Sequence, residues 1–453
     1  MENQELNLKR VLDTKDVISL TVGLIIGAGV MTLTGLAITR TGTGVPIAYL
    51  ISTILTVIIS LPVAQLSSAA PSAGASYKYA SRLIGSKWGF FYIMTYIPSF
   101  VCFSVYALGF SEYFRILFPA FDPYLVAMGI LTIFYIINLL GTRSFSLVQN
   151  LIVILLLVTL IMFITYGLSK VDYTALTKPE NVFPAGAMGL FNAAALLSFA
   201  MAGGTYMAGM GSEMKNPGRD IPLGIIAGTL GVGIIYALIG IVASGVLPWQ
   251  SVADQSLSSV AEAIFPRALF YIFIIGGGLG ATASTINATF SYVTKPLISA
   301  CRDGWLPRGM GNVNKKTGVP IALLTLFWLI GMIPLLLKIP IGNIADMCCS
   351  MALLGCAIVP VTLIRMMKKR PDLYGKSIFK LPRKWITFIC IVSVILAVFQ
   401  AYALLSTFVP VYRVILGVYL ALIILLGLIL EKKVPVSDDL TNELAVTIKT
   451  NVQ

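Results

Sequence analysis

The stretch GLIIGAGVM, residues 23–31, interrupts the first long apolar run of the chain with Gly27-Ala28-Gly29. Glycine destabilises a helix interior by about 1 kcal/mol relative to alanine, so a helix can open at this point at little cost. Hydrocarbon cannot satisfy the N–H and C=O groups that such an opening exposes, and they need protein, water or a polar ligand beside them. The alternative is that these small residues only allow another helix to pack closely.

The composition indicates a polytopic membrane protein. The chain has 453 residues, of which 57% are hydrophobic and 11% are charged. Apolar runs of about 20 residues recur along most of its length, and runs of that length cross a bilayer as helices. Residues 1–16 are polar and mixed in charge, without the apolar core and small-residue cleavage site of a secretory signal, so we expect no cleavage there.

The residue inventory argues against an enzyme. The chain has no histidine, and its six cysteines fall mostly inside apolar segments without a CxxC pair. We therefore expect no disulfide framework, no metal site and no cofactor. A membrane enzyme would need convergent acids, histidines or a nucleophile with its base, and the sequence offers none of these in its apolar spans. A nucleotide-binding P-loop is also missing, which argues against ATP-driven pumping.

Twelve predicted transmembrane helices place both termini on one side of the membrane. With the termini inside, 25 of the 32 lysine and arginine residues fall in inside loops and tails. This asymmetry predicts cytoplasmic N- and C-termini in a multi-pass protein of the plasma membrane. It also accounts for the net charge of +13 without a nucleic-acid partner. The partners that we expect are the lipid bilayer and a small-molecule substrate, with the chain a monomer or a homodimer.

A second interruption, FAMAGGT at residues 199–205, lies five spans after the first. Interrupted helices in corresponding positions of two halves are typical of inverted-repeat transporters with a binding site at the bilayer midplane. We therefore predict an all-α membrane protein with a five-plus-five inverted repeat, broken helices 1 and 6, and two further helices. The predicted segments are a cytoplasmic N-terminal segment (1–15), a first repeat of helices 1–5 (16–170), a second repeat of helices 6–10 (171–370), a basic cytoplasmic loop (371–384), helices 11 and 12 (385–430) and a cytoplasmic tail (431–453).

The ends of two broken helices carry complementary partial charges. A helix start presents free N–H groups and roughly half a positive charge, whereas a helix end presents free carbonyl groups. Together they can hold a carboxylate and an ammonium group without any charged side chain. An α-amino acid is the simplest ligand that carries both groups, and the near absence of charge from the predicted spans fits such a site.

Four motifs, in order along residues 16–382, resemble the amino acid–polyamine–organocation superfamily of transporters. The IGAG and LTG sequences at residues 26–29 and 33–35 are most similar to the branch that holds bacterial amino acid permeases and cationic amino acid transporters. The residues that match the superfamily's motifs are 23–30 in the first helix, then Pro71, Gly74, Tyr77 and Tyr79, then Glu213, Asn216, Pro217, Ile221 and Pro222, and finally residues 302–307.

The resemblance implies alternating access and a substrate site between the two broken helices. It implies that the first-helix backbone takes the substrate carboxylate and that sixth-helix carbonyl groups take the amino group. It also implies that the aromatic residue Phe199 acts as a gate that closes over the substrate. The predicted substrate-binding residues are Ile26, Gly27, Ala28, Gly29 and Val30 in the first helix and Phe199, Ala200, Ala202, Gly203 and Thr205 in the sixth.

The sequence departs from the superfamily at positions that bear on selectivity and coupling. Thr205 is neutral where some members carry an acidic residue for basic substrates, and Leu156 stands where many carry a lysine. That lysine occupies the place where sodium-coupled relatives of the same fold hold sodium. The site is therefore either empty or holds sodium through oxygen ligands, unless the hydroxyl groups bond back to their own helix. The possible ion-site residues are Gly23, Ile26, Leu156, Ser284, Thr285 and Thr289.

We therefore predict a secondary transporter of neutral α-amino acids that works by exchange or facilitated diffusion. One alternative is a sodium- or proton-coupled symporter of broader specificity that includes cationic amino acids. An alternative of another class is a transporter-like membrane sensor that binds amino acids without carrying them.

Overall fold

The computed structural model describes residues 13–70, 74–140, 145–314, 316–431 and 434. The predicted N-terminal segment up to residue 12, Pro71 of the second motif and most of the predicted tail lie outside the described residues. Within these ranges the secondary structure is helical apart from one isolated bridge between Gly42 and Val182. The predicted all-α class is therefore confirmed for the described part of the chain.

The first half of the chain contains the break at residues 26–27. The helices of this half are α1 (Thr14–Ile25), α2 (Ala28–Thr41), α3 (Val45–Ala69), α4 (Ala75–Tyr79), α5 (Ser86–Ser99), α6 (Cys102–Leu117), α7 (Pro123–Leu139), α8 (Phe145–Leu168) and α9 (Tyr173–Thr177). A π-helical turn, Ala80–Ile84, follows α4.

The second half begins with the other interrupted helix. Its helices are α10 (Gly186–Met201), α11 (Pro217–Gly245), α12 (Trp249–Val252), α13 (Ser258–Ile264), α14 (Arg267–Ile272), α15 (Gly280–Tyr292), α16 (Lys295–Asp303), α17 (Ile321–Leu336), α18 (Ile341–Cys356), α19 (Ile358–Lys369), α20 (Pro371–Lys376), α21 (Arg383–Leu405) and α22 (Pro410–Leu430). A π-helical segment, Phe273–Leu279, joins α14 to α15.

The two interruptions take different forms. Between α1 and α2 the chain leaves the helix at residues 26 and 27, as the glycines predict. After Met201, in contrast, α10 continues directly as a 3₁₀-helix, Ala202–Glu213. The sixth span thus continues as a tighter helix at the predicted place, and the Ala202 N–H bonds to the Phe199 carbonyl oxygen in the i+3 pattern.

Among the residues that the structure describes, eight helical segments are long and apolar enough to cross a membrane, and three shorter apolar helices accompany them. The break divides the first span into helices of 12 and 14 residues, so neither half reaches that length. The arrangement of twelve spans in two inverted repeats remains a prediction.

Local sequence signals account for several helix starts. Proline occupies the beginning of α7, α11 and α22, where its missing N–H costs no helical hydrogen bond. The Asp122 carboxylate accepts hydrogen bonds from the N–H groups of Tyr124 and Leu125 and caps α7.

Polar contacts define the two ends of the helical bundle. At the Asp303 end, Thr14 donates a hydrogen bond to Asp220 over 2.8 Å, and Arg82 pairs with Asp303 over 2.7 Å. At the opposite, Asp346 end, Arg40 pairs with Asp346 over 2.7 Å. Arg82 and Arg302, which come from loops that we predict to be cytoplasmic, lie at the Asp303 end.

Candidate functional site

The break in the first helix is held open by side chains from two other helices. The Tyr236 hydroxyl of α11 donates a hydrogen bond to the Ile25 carbonyl oxygen over 2.9 Å. The Ala28 N–H donates to Thr285 Oγ1 of α15, also over 2.9 Å. Two of the backbone groups that the break releases are therefore satisfied by protein, as a buried break requires.

Other groups at the start of α2 remain available. Within the residues that the structure describes, the N–H groups of Gly29 and Val30 have no hydrogen-bond partner. They belong to the first turn of a 14-residue helix, where free N–H groups and the helix dipole create a positive end. This end is suited to binding an anion such as a carboxylate.

The two interrupted helices touch through their backbones. A Cβ atom at Gly29 would lie 2.7 Å from the Ala200 Cβ atom. A Cβ atom at Gly203 would overlap the Leu24 carbonyl oxygen and lie 2.9 Å from the Ile25 Cα atom. Glycine at these two positions therefore brings the start of α2 and the end of α10 together, and a larger residue would separate them.

A small cavity of about 40 Å³ lies at this crossing. Its wall combines the break, the end of α10 and one face of α15. The predicted site residues that line it are Gly23, Gly27, Ala28, Gly29, Phe199, Ala200, Gly203, Ser284, Thr285 and Thr289. The structure thus brings residues from both predicted sets, the substrate set and the ion set, to one cavity.

A larger cavity of about 220 Å³ adjoins the first and extends towards the Asp303 end as far as Ser76 and Lys295. Leu24, Phe199, Tyr206 and Tyr292 line both cavities. The rings of Tyr206 and Tyr292 stack with their centroids 4.3 Å apart and form part of the shared wall. Most of the remaining lining is aromatic or aliphatic, and it includes Tyr92, Tyr96, Val63, Met351 and Val359.

Five predicted residues lie elsewhere than in the first cavity. Ala202 and Thr205 line the second cavity. The side chains of Ile26, Val30 and Leu156 are buried and line neither cavity. The predicted roles of these three residues in substrate or ion binding therefore find no support in the lining of either cavity.

The hydroxyl groups of the predicted ion site bond within their own helix. Ser284 and Thr285 donate to the Ala281 carbonyl oxygen over 3.1 and 2.8 Å, and Thr289 donates to the Thr285 carbonyl oxygen over 2.7 Å. Such bonds are common for serine and threonine in helices and were the alternative to a sodium site.

Four tyrosines were missed by the sequence analysis. Tyr236 holds the break, and Tyr106, Tyr206 and Tyr292 line the first cavity. The signal that could have found them is a tyrosine inside an apolar span, because a buried phenol hydroxyl needs a polar partner. Among the residues that line the two cavities, Lys295 is the one with a charged side chain, and none is acidic.

Comparison with known proteins identifies a family model that covers most of the chain. The model described as amino acid permease matches residues 12–430. The branched-chain amino acid permease BcaP of Bacillus subtilis (strain 168) is 28% identical over 397 residues, which cover 82% of this chain and 83% of that protein. The methylthioribose transporter of the same strain is 24% identical over 408 residues, covering 84% and 86%.

A plant relative matches over a smaller share of its own length. The vacuolar cationic amino acid transporter 2 of Arabidopsis thaliana is 26% identical over 340 residues, which cover 69% of this chain and 53% of that protein. The chain thus aligns with about half of this relative.

Proposed function

Because this chain belongs to the amino acid permease family, we propose that it carries neutral α-amino acids across the plasma membrane by alternating access. Membership confirms the resemblance to the amino acid–polyamine–organocation superfamily and the prediction that the chain is not an enzyme. The chain is a multi-pass membrane protein of the amino acid transporter class. Substrate, coupling and site residues form the proposal.

The observation that carries the proposal is the free N–H group of Gly29, which lines a cavity without acidic or basic side chains, with the free N–H group of Val30 next to it in the chain. A substrate carboxylate at the start of α2 would accept hydrogen bonds from them and meet the positive end of the helix. The carbonyl groups around Ala200, where α10 passes into the 3₁₀-helix beside the same cavity, offer acceptors for the amino group, because a carbonyl oxygen has two lone pairs. Zwitterion recognition by backbone groups explains why the site contains no fixed charge.

The second cavity supports a neutral side chain. The first cavity is small, so a side chain longer than that of alanine would extend past Phe199 into the second. No carboxylate lines that space, and burying a lysine or arginine side chain there without a partner would cost several kcal/mol. Its lining by Tyr96, Met351 and Val359 favours a large apolar side chain.

Exchange or facilitated diffusion is the transport mode that we favour. Leu156 is buried and uncharged, and it therefore supplies neither a fixed charge nor a proton for coupling. The relative named branched-chain amino acid permease supports a neutral substrate. The relatives named cationic amino acid transporters favour the second candidate, a coupled symporter of broader specificity.

Uptake by purified protein in liposomes tests the function. We expect uptake of radiolabelled leucine, alanine or serine, with arginine and lysine as weak competitors, and no change when choline replaces sodium at equal pH. Protein-free liposomes provide the control. Highest affinity for arginine would contradict the proposed selectivity, a collapse without sodium would contradict the proposed mode, and binding without uptake would identify a sensor.

Phe199→Ala should raise the dissociation constant of the transported amino acid about tenfold, because it removes aromatic contact area at the wall between the cavities. Phe191→Ala is the matched control, since Phe191 lies two turns earlier on α10 with its side chain 42% exposed. Binding of radiolabelled amino acid to both variants measures the effect. Equal affinity in the two variants would show that Phe199 only fills space.

A further inference from the structure

Thr285 makes two hydrogen bonds with one hydroxyl group at the centre of the site. Its oxygen accepts from the Ala28 N–H over 2.9 Å, and its proton is donated to the Ala281 carbonyl oxygen over 2.8 Å. A hydroxyl group can serve as donor and acceptor at once, and its proton can rotate to a new partner. Thr285 therefore occupies, in the ligand-free molecule, an acceptor position at the positive end of α2.

Close packing fixes this position. A Cβ atom at Gly27 would overlap Thr285 Oγ1, so the hydroxyl group fills the space that a side chain at residue 27 would take. The Ala281 carbonyl oxygen lies one turn earlier on α15, where it is also the regular α-helical acceptor for the Thr285 N–H. Ser284 donates to the same oxygen over 3.1 Å. This carbonyl group therefore stays satisfied if the Thr285 proton leaves it.

We propose that the Thr285 hydroxyl group makes the site selective for ligands that carry a free α-carboxylate. This inference rests on the proposed function. On binding, one carboxylate oxygen replaces Thr285 Oγ1 as the acceptor for the Ala28 N–H, and the Thr285 proton rotates from the Ala281 carbonyl oxygen to the carboxylate. No covalent bond changes, and the proton stays on the threonine oxygen.

The exchange discriminates by charge. When a neutral acceptor such as an amide oxygen displaces the threonine oxygen, the Ala28 N–H exchanges one neutral hydrogen bond for another of similar strength. The ligand therefore gains little from this exchange. A carboxylate gains, because hydrogen bonds to a charged acceptor are stronger and because it can also use the free N–H groups of Gly29 and Val30. The hydroxyl group thus makes the site bind an ionised ligand more tightly than its amide.

The test compares dissociation constants for the amino acid that the wild type binds most tightly, its amide and its amino alcohol. We expect the wild type to prefer the acid, Thr285→Val to reduce the acid-to-amide preference about tenfold, and Thr285→Ser to retain it within about twofold. Thr282→Val is the matched control, since Thr282 lies on the same helix, donates to the Gly278 carbonyl oxygen over 2.8 Å and lines neither cavity. Thr285→Ala, which also lacks the hydroxyl group, replaces the valine variant if that variant does not fold.

Each outcome is decisive. An unchanged acid-to-amide preference in a hydroxyl-free variant that binds the acid overturns the inference and leaves the proposed function standing. A change in sodium dependence with an unchanged preference also overturns it, because the hydroxyl group would then be an ion ligand. A wild type that binds no amino acid overturns the proposed function and this inference with it.

Discussion

Gly203→Ala should reduce amino acid transport at least tenfold, whereas Gly204→Ala should leave it near the wild-type rate. The added methyl group at Gly203 would overlap the Leu24 carbonyl oxygen and lie 2.6 Å from the carbonyl carbon. These are backbone atoms of α1 at the break, so the methyl group can be accommodated only if the two interrupted helices separate. At Gly204 the nearest atoms are 3.3–3.4 Å away and belong to side chains of Thr21, Thr229 and Ile25.

The expected loss at Gly203 comes from packing, and it is opposite to the gain in stability that helix propensity alone would give. Alanine is about 1 kcal/mol more favourable than glycine within a helix, so both variants would gain stability if local preference decided. Overpacking against fixed backbone costs about 1–3 kcal/mol and outweighs that gain at Gly203. It also displaces the carbonyl end of α10 from the N–H groups at the start of α2, which removes the proposed zwitterion site.

Counterflow of radiolabelled amino acid in liposomes and the thermal midpoint of each purified variant measure the two effects. The Gly204→Ala variant controls for expression, insertion and the general effect of a methyl group in this segment. Normal transport by Gly203→Ala would contradict the close crossing of the first and sixth spans.

Asp346→Ala should destabilise the protein by about 3–5 kcal/mol, because it leaves the Arg40 guanidinium buried without its counter-charge. The Asp346 side chain is 4% exposed and that of Arg40 is 17% exposed. The guanidinium reaches the two carboxylate oxygens over 2.7 and 2.8 Å, and the Thr407 hydroxyl donates to one of them over 3.0 Å. This cluster ties the end of α2 to α18 and to the segment after α21.

An exposed ion pair supplies the matched control. Glu431→Ala breaks the ion pair between Lys87 and Glu431, whose side chains are 36% and 35% exposed. This change should destabilise the protein by no more than about 1 kcal/mol. The double variant Arg40→Met with Asp346→Leu should recover most of the loss, since it removes both charges. Thermal midpoints in one detergent compare the variants. A midpoint for Asp346→Ala equal to that of Glu431→Ala would show that the buried cluster is dispensable.

The local sequence predicts the break in the first helix and the class of the protein. Gly27 and Gly29 weaken a helix by their own backbone freedom, and the structure leaves the helix at residues 26 and 27. The glycines at 203 and 204 predict the position of the second interruption, but they do not predict its 3₁₀ form. The sequence alone therefore located both interruptions, and the form of the second is visible only in the structure.

Distant partners could not be read from the chain. Thr285 was considered as an ion ligand, and only the packing of α15 against the break places its oxygen on the Ala28 N–H. The sequence does not predict the roles of Tyr236 and Asp346, because their hydrogen-bond partners Ile25 and Arg40 lie 211 and 306 positions away. A tyrosine or an aspartate in an apolar span signals that a partner exists without saying which one.

The sequence by itself determined that this is an apolar helical protein of the amino acid permease family with interruptions at residues 26–29 and 203–204. These properties follow from hydropathy, charge distribution and glycine content, which act over a few neighbouring residues. Only the tertiary structure decided which groups close the break, which residues share the two cavities and which charges pair at the Asp346 end. Those facts depend on how the helices pack side by side, and helix contacts join residues that lie hundreds of positions apart in the chain.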